Sequence, residues 1–141
     1  MDGFFGSVIH DDIVLNNATL YVTDLSFSIK FNGGGEFSGT GTTTAGSPYK
    51  GYFMVIAMAP VTATGCQQNI EMRGNGDSDL TGTIFAPSAC FDARGNSGNG
   101  ANDSQLIFYM VSSNGNADIS VDFDAGDNHQ DPQNPAIRLL R

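Results

Sequence analysis

The feature that most constrains this chain is a corner that recurs. Glycine-flanked asparagines stand at Asn75, Asn96 and Asn116, separated by 21 and 20 positions. Five positions before each lies an apolar residue, Ile70, Phe91 and Val111, and the same offset from Asn32 finds Phe27. Three positions before come Met72, Ala93, Ser113 and Ile29. Asn32 to Asn75 spans 43 positions, two such periods. A second element keeps the same spacing. Gly82-Thr83-Ile84-Phe85-Ala86 occupies the place of Ser104-Gln105-Leu106-Ile107-Phe108, and Gly6-Ser7-Val8-Ile9-His10 resembles an earlier copy.

A period of about 20 residues, with two short strands and polar corners, is what one turn of a parallel β-solenoid requires. Turns stacked ~4.8 Å apart bring equivalent corner asparagines into ladders, where their amides satisfy corner backbone groups. The expectation is one all-β domain over residues 1–141, a short parallel β-solenoid of about six or seven turns. The alternative is an antiparallel β-sandwich or jelly roll, because short strands with Gly-rich turns at regular spacing fit it too.

No segment carries a helical apolar period, whereas several alternate with period two. Leu25, Phe27, Ile29 and Phe31 alternate with Ser26, Ser28 and Lys30, and Ile119, Val121 and Phe123 alternate with Ser120 and Asp122. Ile70 and Met72 lie between Asn69, Glu71 and Arg73, and 19–23 forms a similar strand. Residues 52–59 are apolar on both faces, and 39–46 reads as a loop. The core expected from this pattern is Phe27, Ile29, Phe31, Ile70, Phe91, Val111, Ile119 and Val121.

Composition narrows the function classes. The formal net charge is −9, which is unsuited to nucleic-acid phosphates or anionic membranes. The longest apolar run, 52–60, falls far short of the ~20 residues of a membrane-spanning helix. Cys66 and Cys90 lie 24 positions apart, one turn of the expected stack, and so within disulfide reach. An even cysteine pair outside any CxxC motif fits an oxidising compartment. The start at Met1-Asp2-Gly3 does not read as a leader, which leaves either an exported chain whose leader has been trimmed or a cytosolic chain, and the cysteine pair favours the exported one.

The order of short motifs also carries a resemblance. Thr19-Leu20-Tyr21-Val22-Thr23 is followed by Ser47-Pro48-Tyr49-Lys50-Gly51-Tyr52, and then by Arg73-Gly74-Asn75-Gly76. Leu80-Thr81-Gly82-Thr83-Ile84-Phe85-Ala86-Pro87, Gly95-Asn96-Ser97, Ser104-Gln105-Leu106-Ile107 and Gly115-Asn116 come after. Residues 19–124 thereby resemble a domain of Tad (tight-adherence) pilus-assembly proteins of the TadG-like group. That resemblance implies an envelope or surface protein connected with adhesion, and it brings no catalytic residue with it.

Site candidates are few. Asp118, Asp122, Asp124 and Asp127 cluster near the C-terminus with Asn128 and Asp131, and Ca²⁺ favours such oxygens. Neither an EF-hand loop nor a Gly-Gly-x-Gly-x-Asp repeat is present, and a solvated acidic face explains the cluster equally. His10 precedes Asp11-Asp12, with no nucleophile or third ligand placed beside it. No carboxylate pair stands out for glycoside hydrolysis. The expected function is therefore non-enzymatic: an extracellular structural or adhesive module that assembles into oligomers or filaments through open solenoid ends. A Ca²⁺- or glycan-binding module of a larger secreted protein is the rival, with a surface glycan or envelope protein as partner.

Overall fold

The computed structural model describes residues 6–9, 12–23, 28–33, 37–57, 65–74, 78–95, 98–101 and 103–130. All regular structure in them is β. The strands are β1 (Gly6–Ile9), β2 (Ile13–Leu15), β3 (Leu20–Val22), β4 (Ser28–Gly33), β5 (Phe37–Thr40) and β6 (Tyr52–Ile56). They continue as β7 (Gln68–Gly74), β8 (Ser78–Gly95), β9 (Gly98–Ala101), β10 (Ser104–Gly115) and β11 (Asp118–Val121). They form one curled sheet in which the described ladders run parallel, unlike those of the antiparallel sandwich weighed from sequence.

The ladders fall into three columns. In the first, β1 pairs β4, β4 pairs β7, β7 pairs the end of β8, and that pairs the end of β10. The second joins β2, β5, the start of β8, β9 and β11. The third joins β3, β6, the middle of β8 and the start of β10. β8 thus passes through all three columns. Pro87, which has no N–H to give to a ladder, lies between its second and third paired stretches, where that loss costs least.

Side chains alternate across each strand, so register rows are either wholly inward or wholly outward. Ile29, Ile70 and Phe91 form an inward row and are 3%, 5% and 7% exposed. Met72 and Ala93 form the next inward row of that column, and Leu20, Met54, Ile84 and Leu106 line the third. Burying each large apolar side chain contributes about 1.5–3 kcal/mol, which makes these rows the main source of stability. In β6 the register shifts between Tyr52 and Met54, and the extra residue, Phe53, is fully buried beside Met54. In the second column Gly39 pairs Leu15 and Leu80 at φ +141°, and a Cβ there would lie 1.7 Å from the Leu15 carbonyl oxygen. Only glycine lets these two strands approach so closely.

The outward row of the first column is charged. Lys30, Glu71, Asp92 and Ser112 stand in register, and Asn32, Arg73, Arg94 and Asn114 stand beside them. Glu71 meets Arg73 at 2.6 Å and Lys30 at 3.6 Å, and Asp92 is paired with Arg94. The Arg94 hydrogen bond is the main reason the Asp92 carboxyl sits below its ordinary value, with Ser112 and Asn114 assisting against the cost of burial.

Several sequence expectations are borne out and others are corrected. Cys66 and Cys90 form a disulfide with Cα atoms 5.4 Å apart. The rows Ile70–Phe91–Val111 and Met72–Ala93–Ser113 stand as the spacing implied, and so does the pairing of 82–86 with 104–108. Ile29, not Phe27, is the partner of Ile70, and Asn32 faces Arg73 rather than opening a corner. Phe27, Asn75, Asn96, His10 and Asp131 lie outside the described residues, as do the side chains of Phe31 and Ile119. Ile29 and Ile70 lie on directly neighbouring strands, so the 43-position gap from Asn32 to Asn75 is a single step in the column and not the two periods expected. Gly6 to Ile9 belongs to the first column, whereas its supposed copies at 82–86 and 104–108 belong to the third. Val111 and Val121 are each 47% exposed; they lie in the last strands of their columns, with no further strand paired to them among the described residues. The span 39–46 is a loop only after Thr40, since β5 includes Gly39 and Thr40.

Candidate functional site

Among the described residues, the outward side of the third column brings together a cleft, a strap of chain and several ring contacts. Tyr52, Thr83 and Gln105 make one row there, and Tyr21, Val55, Phe85 and Ile107 make the next. Alternation alone places these residues outward, because Met54, Ile84 and Leu106 between them point into the core. Tyr52 and Phe85 meet edge to face with centroids 6.3 Å apart, and Tyr21 and Tyr49 meet at 5.7 Å.

A C-terminal strap, residues 122–130, returns over this side. It begins with a tight turn. Asp124 Oδ1 accepts the Gly126 N–H at 2.6 Å, and the Asp124 carbonyl accepts the N–H groups of Asp127 and Asn128. Asn128 is only 3% exposed, and its Nδ2 donates to the carbonyls of Asp103 at 2.7 Å and Asp124 at 2.8 Å. The His129 N–H donates to Thr83 Oγ1 at 2.9 Å, and its Nδ1 donates to the Lys50 carbonyl at 3.2 Å. Its ring stacks on Tyr52 with centroids 4.1 Å apart and planes 21° apart. Gly51, at φ +80°, makes this docking feasible: a Cβ there would stand 2.5 Å from the Asn128 carbonyl carbon and the His129 nitrogen.

Thr83 is the pivot. It is 1% exposed, and its hydroxyl lies 3.3 Å from both Gln105 Oε1 and Asn128 Oδ1. One proton serves one of these acceptors at a time, while a lone pair receives His129. Beside the pivot opens a cleft of about 340 Å³, lined by Tyr52, Phe85, Gln105, Phe123 and His129 among others. A second hollow of about 550 Å³ lies across the strap against Ser47, Pro48 and Lys50. Among the described residues, Asp, Glu, Lys and Arg are missing from the smaller cleft's lining.

The residues singled out from sequence are placed elsewhere. Asp122, Asp124 and Asp127 are exposed along the strap, Asp124 closes its own turn, and β11 ends at Val121 before the acidic run. The side chain of Asp118 is outside the description. Among the described residues no group of three His, Cys, Asp or Glu side chains is gathered to hold a metal ion. Asn128, grouped with these aspartates from sequence, is instead a buried clamp on backbone carbonyls. The sequence missed Tyr52, Thr83, Phe85, Gln105 and His129, which come from four separated segments. One signal did point to them: the matched pentapeptides 82–86 and 104–108, which set Thr83 beside Gln105 and Phe85 beside Ile107.

No family model, curated protein or solved structure matches this chain.

Proposed function

We propose that the chain is a non-enzymatic structural and adhesive module of an extracellular surface, a three-sided parallel β-solenoid whose open ends add further copies. Each full turn contributes one strand to each column; the five strand segments of the first and second columns and the four of the third correspond to five turns, the last of them incomplete among the described residues. The observation that carries this reading is one row. Ile29, Ile70 and Phe91 are buried, whereas Val111, next in the same row, is 47% exposed. Among the described residues this core row ends in solvent at a parallel edge with no strand paired beyond it, which presents both apolar surface and backbone groups to another turn of the same geometry. Addition at one end of each copy is heterologous and does not close, which gives filaments. The Cys66–Cys90 bridge supports an oxidising, extracellular setting. The motif order over 19–124 supports a place near Tad-type pilus assembly.

Negative-stain electron microscopy over a protein concentration series tests this. The expected result is filaments with an axial repeat of about 24 Å, five turns at strand spacing. A Val111→Lys variant would abolish them by placing a charge in the row. Monodisperse short particles at every concentration would overturn the assembly reading.

A further inference from the structure

We infer that the cleft beside Thr83 is a binding site for an extended, uncharged sugar chain. The inference deepens the surface-module reading, and rests on it for the setting in which the ligand is met.

Three observations select this ligand chemistry. The first is backbone pairing. The middle of β8, which forms the floor, is already paired to β6 on one side and β10 on the other. A peptide therefore cannot join by strand addition at the middle of β8, and recognition there falls to side chains. The second is the lining. Rings of Tyr52, Phe85 and Phe123 offer flat apolar faces, while Gln105 and Gln130 offer amides that both donate and accept. A pyranose presents the same mixture, with C–H groups on its faces and hydroxyls around its rim. The third is charge. Among the described residues the lining has no carboxylate, ammonium or guanidinium group, in a chain of net charge −9. An acidic polymer meets a repulsive field with no local cation to offset it, and a cationic one finds no carboxylate in the cleft.

The geometry suits a chain rather than a single sugar. Tyr21, Val55, Phe85 and Ile107 run across four neighbouring strands as one apolar row, with Tyr21 51% exposed at its far end. Phe123, 53% exposed, stands at the cleft beside the other end of that row, and the strap walls one side. Successive sugar units laid along the row would meet aromatic or aliphatic faces at each strand, with the Tyr52–Thr83–Gln105 row alongside for hydroxyls.

The test is a titration of the purified full chain with cellohexaose, mannohexaose and xylohexaose, with hexagalacturonate as the acidic comparison. Two-dimensional amide NMR reads the site and calorimetry reads affinity. The expected result is saturable binding of at least one neutral hexasaccharide, with shifts centred on Thr83, Phe85, Gln105 and Ile107. Phe85→Ala would weaken it about tenfold or more. Phe123→Ser, at an exposed position that does not endanger folding, would weaken it too. No binding of any neutral probe at about 1 mM would overturn the inference. Tighter binding of hexagalacturonate, or shifts centred on the charged first column, would overturn it as well. Filaments without sugar binding would sink this inference alone, whereas sugar binding by a strictly monomeric chain would sink the assembly reading alone.

Discussion

The backbone N–H of His129 donates to the hydroxyl of Thr83 at 2.9 Å, and this contact ties the C-terminal strap to the middle of β8. Because Thr83 is 1% exposed and also faces Gln105 and Asn128, its hydroxyl has no water to replace those partners. Thr83→Val keeps the shape and removes the oxygen. It is expected to cost about 1–3 kcal/mol, the penalty for leaving buried polar groups unpaired. Denaturant unfolding reads the loss, and faster amide exchange at His129 locates it. Unchanged exchange there would contradict the pivot role.

Gly51→Ala tests how closely the strap approaches. The new Cβ would meet the Asn128–His129 backbone at 2.5 Å and stand at φ +80°, which side chains disfavour. The expected outcome is a displaced strap, read as loss of the Tyr52–His129 ring-current shift in NMR. Gly46→Ala is the control, since its φ is also +80° but nothing lies within 4 Å of its Cβ. Equal effects from the two would show that backbone conformation, and not crowding, sets the requirement.

Reducing the Cys66–Cys90 bridge frees a loop of 24 positions in the unfolded chain. A Cys66→Ser, Cys90→Ser double variant is expected to be less stable by about 3 kcal/mol. Thermal unfolding with and without reductant checks this, and the double variant should no longer respond to reductant.

Asp92 makes the fold acid-sensitive. Its folded value lies below the ordinary 3.8, chiefly through the Arg94 hydrogen bond. The stability it contributes is therefore present above the unfolded value, and is lost as pH falls through the folded one. Side-chain carbon NMR is expected to place its midpoint below 3.8. Asp92→Asn should make the acid decline in stability shallower. A midpoint at or above the ordinary value would contradict the pairing.

Gln68 is a weakness in the core. It is 2% exposed, lies in register with Ala89, and neither of its amide atoms has a hydrogen-bond partner. Gln68→Met keeps the length and removes two unpaired polar atoms. It is expected to stabilise the protein by about 1–3 kcal/mol, read as a higher denaturant midpoint. A lower midpoint would mean that the amide serves the fold.

The sequence made the stack legible where turns carry no insertion. Ile70, Phe91 and Val111 are separated by 21 and 20 positions, and their register follows those intervals directly. The offset counted from Asn32 matches Phe27, and not Ile29, to Ile70, because the segment between Ile29 and Ile70 is about twice as long as those that follow and an Asn-to-Asn ruler cannot see where the extra residues sit. The error was two residues, so Ile29 was still placed facing inward: a shift of two preserves the face of a strand, where a shift of one would invert it. The offset from Asn116 puts Val111 in the core, and period-two alternation puts Val121 there. Spacing does not reveal which strand is last in a column. The cleft was less legible, because Tyr52, Thr83, Gln105 and His129 meet only through column pairing and a returning strap. No short motif encodes that meeting.

The parallel stacking of Ile70, Phe91 and Val111 is tested most directly by interstrand nuclear Overhauser contacts in isotope-labelled protein. The expected pattern is amide-to-Hα contacts between Ile70 and Phe91 and between Phe91 and Val111, repeated at Met72, Ala93 and Ser113. Strong Hα-to-Hα contacts across these pairs, the signature of antiparallel neighbours, would contradict the parallel stacking and the assembly proposed from it.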